Sequence, residues 1–392
     1  MLEKIFNDST VLRYLSIKID DVEIVKDDII ALEIKQDFYE FGIFGSMKIK
    51  DSFDLFNNGL INFNGVNRIT ISMVDFLEQK SIRTYRIIDT KTNPDNDRFK
   101  ILDFVFQDEI SFILGNTYLS KGFTDKPVNA LKEYFTHLGI DDLVSTDVIT
   151  YNLADVGTSR SFVIPQNVSV LDHFMYLLKH ENIRLWQDRN GIYVNELVPS
   201  AMTPLENENG EILYTNKTLN NEYMFKIHDT AEFKNQSIHT NYNKPVETIY
   251  RYNYIKEVLN TTTNLTDELE NFKLNSVKSM DQSGLQQTIG TRLNTQGDEH
   301  IGSQTYDLFD SYMNNNQLLI AVPGSFEFNN IGNVANIVLK GNPLYTKSDL
   351  ENDELSSGKY FISKVSDRII GDKMINKLTL SRVDSVIPGA LR

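Results

Sequence analysis

The sequence contains no cysteine. Disulfides, thiolate metal sites, redox centres and cysteine nucleophiles are therefore excluded, and synthesis in the cytoplasm is the natural reading. No stretch approaches the ~18 consecutive apolar residues of a membrane-spanning helix. The N-terminal residues lack a basic segment followed by an apolar run, so no signal peptide is expected. Basic residues are also scarce: 39 Lys and Arg stand against 54 Asp and Glu, a formal charge of -15. Clamping of nucleic acid without regard to sequence depends on Lys and Arg displacing phosphate counterions, and this balance argues against it. No glycine-rich phosphate loop follows a strand, and no Gly-x-Ser-x-Gly elbow occurs.

What is present is ordinary globular material. Of 392 residues, 41% are apolar and 11% aromatic, enough for two to three domains that each bury a core. Residues 15 to 110 read as strands. Met47 and Ile49 alternate with Ser46, Lys48 and Lys50, and Ile69, Ile71 and Met73 alternate with polar neighbours, the period of a half-buried strand. Arg83 to Ile88 and Phe99 to Phe106 add two more strands around a polar turn at residues 92–97. An antiparallel barrel or curled sheet follows.

The middle of the chain changes period. Pro127 opens a helix whose stripe is Val128, Leu131, Tyr134, Phe135 and Leu138, closed by Gly139. Ser169 caps a second helix with Val170, Leu171, Phe174, Leu177 and Leu178 on its buried face. Strands Ile183 to Gln187 and Ile192 to Val194 then flank Asp188-Arg189-Asn190-Gly191, where Asn-Gly would supply the positive backbone angles of a tight turn. Residues 255–302 are polar and read as an extended surface excursion. A short helix carrying Tyr306, Leu308, Phe309, Tyr312 and Met313 precedes four further strands: Gln317 to Val322, Val334 to Leu339, Lys359 to Val365 and Lys377 to Val383.

The two β-rich ends share an order of events: a glycine (Gly65 or Gly332), a strand, a second strand, a polar turn and a third strand. A duplicated unit produces this order, and so does chance likeness between β-meanders.

Candidate chemistry is thin. His173 and His180 share a helix face seven residues apart, but no His-Glu-x-x-His pairing accompanies them. Gly297-Asp298-Glu299-His300 sits in the polar segment, and Asp95-Asn96-Asp97 lacks the glycine and distal glutamate of a calcium loop. No carboxylate pair stands out as a glycosidase dyad. Catalytic, cofactor-binding and metal-ligating residues are accordingly all expected to be absent. Tyr39, Phe41 and Phe44 form an aromatic cluster at a glycine corner, suited either to core packing or to anchoring a subunit contact.

Phe38-Tyr39-Glu40-Phe41-Gly42 leading into Gly45-Ser46-Met47-Lys48-Ile49-Lys50-Asp51 resembles the opening hairpin of the central hub protein of contractile-tailed phage baseplates. That family is related to the N-terminal region of type VI secretion spike proteins. The capped helix Ser169 to His180 with its hairpin, and the run Ser357-Gly358-Lys359-Tyr360-Phe361-Ile362-Ser363-Lys364-Val365 followed by Leu378 to Val383, are similar to the family's middle region and C-terminal strand pair. The resemblance covers nearly the whole chain; the polar stretch 255–302 departs from it.

The resemblance implies an α+β, mainly β protein with two similar tube-like β-barrel domains, at 1–115 and 226–392, and a helix-containing middle domain at 116–225. It further implies a non-enzymatic homotrimer whose six barrels form a pseudo-six-fold ring between a six-fold tail tube and a three-fold central spike, within a virion tail baseplate. The tail tube protein, the central spike protein and other baseplate proteins are the implied partners. DNA would pass without specific binding, eased by an acidic lumen. With the chain stopping at Arg392, no fused spike needle or lysozyme-like module is expected. The hub of a phage-like contractile injection or secretion system shares this architecture, and a tail-tip cell-wall hydrolase is the competing reading from another class.

Overall fold

The computed structural model describes residues 10–52, 54–55, 58, 67–95, 99–146, 150–181, 183–196, 213–215, 224–227, 229–235, 248–253, 258–263, 291–294, 316–339 and 357–382. Alternating apolar residues build the first eight strands: β1 (Thr10–Val11), β2 (Tyr14–Ile19), β3 (Val22–Ile24), β4 (Ile29–Asp37), β5 (Ile43–Asp51), β6 (Arg68–Val74), β7 (Lys80–Asp95) and β8 (Phe99–Asp108). The turn expected at 92–97 begins later than the sequence suggested, because β7 continues to Asp95, with Thr92 opposite Leu102 and Asn93 opposite Ile101. Polar residues up to Asp95 there continue a strand rather than forming a turn.

The middle region holds α1 (Glu109–Asn116), β9 (Lys121–Asp125), α2 (Pro127–His137), α3 (Ile140–Thr146), β10 (Thr150–Leu153), β11 (Arg160–Ile164), α4 (Val170–His180), β12 (Ile183–Gln187) and β13 (Gly191–Glu196). Ser169 caps α4 as expected, accepting from the Asp172 amide at 3.0 Å while its hydroxyl donates to the Asp172 carboxylate at 2.7 Å. Asp108 caps α1 in the same way, accepting from the amides of Ile110 and Ser111. The buried faces of α1, α2 and α4 share one core with Ile183, Leu185, Ile192 and Val194.

The remaining strands are β14 (Leu213–Thr215), β15 (Met224–Lys226), β16 (Asp229–Asn235), β17 (Thr248–Asn253), β18 (Val258–Thr263), β19 (Thr291–Asn294), β20 (Asn316–Pro323), β21 (Val334–Val338), β22 (Gly358–Ile370) and β23 (Lys373–Arg382). Within the stretch read as a surface excursion, β18 and β19 flank β17 in a small separate sheet. Cross-strand pairing thus claims residues whose polarity reads as loop. The helix expected at 306–313 lies outside the described residues.

One 15-stranded sheet joins both ends of the chain, and the protein is α+β and mainly β. Pairing runs from β2 through β6, β7, β8, β5, β4, β22 and β23, then returns through β1, separated from β2 only by Leu12 and Arg13. A second circuit runs through β14, β21, β22, β23, β20 and β16, with β15 beside β16 in the chain pairing back onto β14. The hairpin β22–β23 belongs to both. Its tip residues Ile369 and Met374 are buried in the N-terminal core, and its base residues Tyr360, Phe361, Ile362, Leu378 and Leu380 in the C-terminal one.

The repeated order of strands is matched by register. Ile87 faces Phe106 and Asp89 faces Val105 around a bulge at Ile88; Ile362 faces Leu380 and Lys364 faces Thr379 around a bulge at Ser363. The Ile87 amide donates to the Asn67 carbonyl at 3.0 Å, as the Ile362 amide donates to that of Asn333 at 2.9 Å. β4, β5, β6, β7 and β8 correspond in this way to β16, β20, β21, β22 and β23. Among the described residues no helix is long and apolar enough to cross a membrane.

Gly45 lies where the β5 backbone passes under an aromatic ring. A Cβ there would sit 2.2 Å from the Phe106 ring and 2.8 Å from the Glu33 carbonyl, whereas one on Gly115, in α1, would meet nothing within 4 Å. Gly45→Ala is expected to lower stability by about 1–3 kcal/mol through overpacking, and Gly115→Ala to raise it by about 0.5–1 kcal/mol, both read from urea unfolding.

Candidate functional site

The seam where the two circuits share β22 is the candidate site. Between β4 and β5 the aromatic corner ties three cores together. The Phe38 ring packs in the C-terminal core, 4.8 Å from Phe361 and 5.1 Å from Trp186. Three residues on, Phe41 is buried in the helical core at 5% exposure. The flanking Ile34 and Ile43 belong to the N-terminal core. Gly42 turns this corner at φ +110, with Ser111 where a Cβ would project.

The three aromatic residues singled out in the sequence therefore part company. Phe41 spends its surface inside the fold. Tyr39 is half-buried, its ring sharing the buried Arg184 guanidinium with Phe38 at 5.1 Å from each centroid. Lys364 approaches the Tyr39 ring at 6.0 Å and pairs with Asp37. Phe44 is half-buried and lines a groove.

That groove, of about 450 Å³, runs over β4, β22, β23 and β20 on the face away from both cores. Its charged lining is balanced: Glu33, Asp37 and Glu40 against Lys35, Lys364 and Lys377. Arg368 donates to Glu33 at 3.1 Å, and Ser366 donates to the same carboxylate at 2.8 Å. Burial raises the Glu33 pKa, but these hydrogen bonds and the cations Lys35 and Arg368 bring it below its ordinary value. The acidity of the chain as a whole is not concentrated on this face.

Opposite the groove, beneath the seam, the turn Asp188-Arg189-Asn190-Gly191 inserts from the middle region. Arg189 pairs with Asp367 at 2.9 Å, both about 95% buried. Its backbone amide donates to Gln36 at 3.0 Å, and its guanidinium lies 4.8 Å over the Phe326 ring. Asn376 also donates to Asp367. Asn329 donates to Asn376 at 2.6 Å and accepts from the Tyr214 hydroxyl at 2.6 Å. Burial pushes the Asp367 carboxyl above the usual carboxylate range, opposed chiefly by Arg189. On the N-terminal side, fully buried Arg83 donates to the Asp188 carbonyl and faces Asp108 at 3.5 Å.

The Asn-Gly expectation for this turn is corrected by the structure, since neither Asn190 nor Gly191 has a positive φ. The Asp188 side chain closes the turn, accepting from the amides of Asn190 (2.7 Å) and Gly191 (2.9 Å). Gly191 is needed because β10 passes beside it, with the Thr150 carbonyl 2.5 Å from any Cβ.

Among the described residues no group of three or more His, Asp or Glu is placed to hold a metal ion. His173 is half-buried, its pKa lowered by burial and by Arg160, and Asp141 accepts from Thr136 and Tyr151. Residues 297–300 lie outside the described residues. Arg189, Asp367 and Gln36 were not singled out in the sequence. Gln36 and Asp367 are signalled only as polar residues interrupting strands, and Arg189 only as part of a polar turn.

No protein-family model matches the sequence, and no curated protein matches it. Solved structures do match in fold. A tail protein from Neisseria meningitidis MC58 superposes with a TM-score of 0.58 at 10% identity, over 94% of this chain and 96% of that one. The 43 kDa tail protein of prophage MuSo2 from Shewanella oneidensis gives 0.57 at 9% identity, over 95% and 98%. A chain of the half-lidded Francisella PdpA-VgrG complex gives 0.51 at 11% identity, covering 99% of this chain and 61% of that one. The fold is shared with these tail proteins and with a chain of the VgrG complex, in line with the fold that the sequence resemblance implied.

Arg189→Met leaves Asp367 buried without its cation and is expected to cost about 3–5 kcal/mol. Adding Asp367→Asn removes the stranded charge, so the double variant should be more stable than Arg189→Met alone in urea unfolding.

Proposed function

We propose that this chain is a structural hub of a phage tail baseplate. In this reading three copies form a pseudo-six-fold ring that adapts a six-fold tail tube to a three-fold central spike and lines the exit channel for DNA. The observation that carries it is the pair of register-matched barrel units within one chain, locked by a shared hairpin. Two like units in each of three subunits offer six near-equivalent surfaces to a six-fold partner and three to a three-fold one. Likeness to two tail proteins, one of them from a prophage, over nearly the full length of each supports the same reading.

Ring contacts of this kind are obligate and bury more than ~2,000 Å². The charge-balanced groove is the candidate channel wall. Paired charges present neither an anion trap nor an apolar patch, so phosphate would pass without being held. Slipperiness then comes from local pairing rather than from an acidic lumen. Half-buried Phe44, which lines this groove, and half-buried Tyr39, packed against Arg184 and Lys364, are the proposed subunit-contact aromatics.

The role is non-enzymatic. Among the described residues the most buried acids, Asp75, Asp108, Glu109, Asp188 and Asp367, are committed to caps, turns, backbone amides and arginine partners inside the fold, which leaves them inaccessible to a polysaccharide. The likeness to a chain of the PdpA-VgrG complex favours a second reading, the hub of a contractile injection or secretion system, with the same ring and a different payload.

Light scattering of the purified chain is expected to give a trimer, and averaged electron images a ring with a central hole and six lobes. A monomer at micromolar concentration that cleaves cell-wall polysaccharide would overturn the assignment in favour of a tail-tip hydrolase.

A further inference from the structure

The joint between the two barrels inside one chain is also a template for the joint between chains. β22 divides its length. Val334 to Ile337 of β21 pair with its first part, Phe361 to Gly358, and β4 pairs with its second part, from Lys364 opposite Asp37 to Ile369 opposite Leu32. β7, its counterpart, divides at the same bulge. β6 pairs with its first part up to Arg86. Beyond Ile87, among the described residues, β7 pairs with β8 alone.

The counterpart of β4 is β16, placed by Glu232 facing Leu319 as Glu33 faces Ser46. Among the described residues β16 pairs with β20 alone. Among the described residues the chain thus carries a strand edge of the kind that receives β4, on the second part of β7, and a strand of the kind that β4 is, β16, on the other repeat. An edge and a strand that complement each other but belong to different ends make a heterologous contact, which closes into a ring when the rotation allows.

Resting on the ring proposed above, we infer that β16 of one copy adds antiparallel to the second half of β7 of the next. Carrying the β4–β22 register across the repeat sets Thr90 opposite Asn235, Lys91 opposite Lys234 and Asn93 opposite Glu232. The partner is a second copy of this chain, because the complementary strand and its register are both present within it. The positions that bury Ile369 and Met374 at the internal joint correspond here to Pro94 and Lys100. The contact between chains therefore depends on main-chain hydrogen bonds more than on apolar burial, and separates more readily than the joint within the chain.

The cysteine-free sequence makes the test direct. Full-length double variants Lys91→Cys/Lys234→Cys and Asn93→Cys/Glu232→Cys are oxidised and run on non-reducing gels, with reduced samples and wild type measured by light scattering. Directly opposed strand residues lie within disulfide reach. At least one pair is expected to convert the chain to a covalent trimer. The off-register control Lys91→Cys/Thr230→Cys, three partner positions or about 10 Å out of step across the bulge in β16, should give none. A trimer by light scattering in which neither in-register pair crosslinks between chains overturns the strand pairing and leaves the ring standing. Monomeric wild type without crosslinks overturns both.

Discussion

The fold depends on one buried contact, Arg189 with Asp367, because of where Asp367 sits. It lies on β22 between the hairpin base that fills the C-terminal core and the tip that completes the N-terminal one, opposite Ile34 of β4 and Asn376 of β23. A carboxylate there would be costly alone. Arg189, Asn376 and Gln36 make it tolerable, and each comes from a different part of the chain. Apolar burial drives the barrels to form, while this polar cluster fixes their mutual position and the docking of the middle region. Buried ion pairs contribute less to net stability than to the cost of any arrangement that breaks them.

That constraint connects structure to assembly. In the hub role proposed above, fixed angles have to be presented to the neighbours, and two barrels joined by a flexible linker would present a distribution of them. Sharing a hairpin removes the linker. The aromatic corner adds a second tie, since Phe38 and Phe41 reach two cores from positions three residues apart. Rigidity at the seam also keeps the groove open and its charge pairs in register across β4 and β22.

Much of the fold was legible in sequence, and what was legible is local. Period-2 alternation located β5 and β6, the apolar stripes located α2 and α4, and Ser169 marked a true cap. The order of strands in the two meanders was readable, but their matched bulges at Ile88 and Ser363 were not, because register is set by partners distant in the chain. α1 was missed although Asp108 is a legible cap, because a helix of eight residues following β8 directly leaves Ile110, Ile113 and Leu114 too short a stripe to separate from the strand. The seam was missed for a related reason: Asp188-Arg189-Asn190-Gly191 has the composition of a solvent-facing turn, and only the folded topology buries it. Phe41, Tyr39 and Phe44 were legible as a cluster but not as one buried and two half-buried side chains.

Native-state hydrogen exchange resolved by strand tests the central claim, that the shared hairpin and its clasp make both barrels one cooperative unit. Amides of β5 to β8 and of β20 to β23 should open with a common free energy and a common denaturant dependence. Exchange in which one barrel opens well below the other, with the hairpin β22–β23 protected in only one of them, would contradict the account.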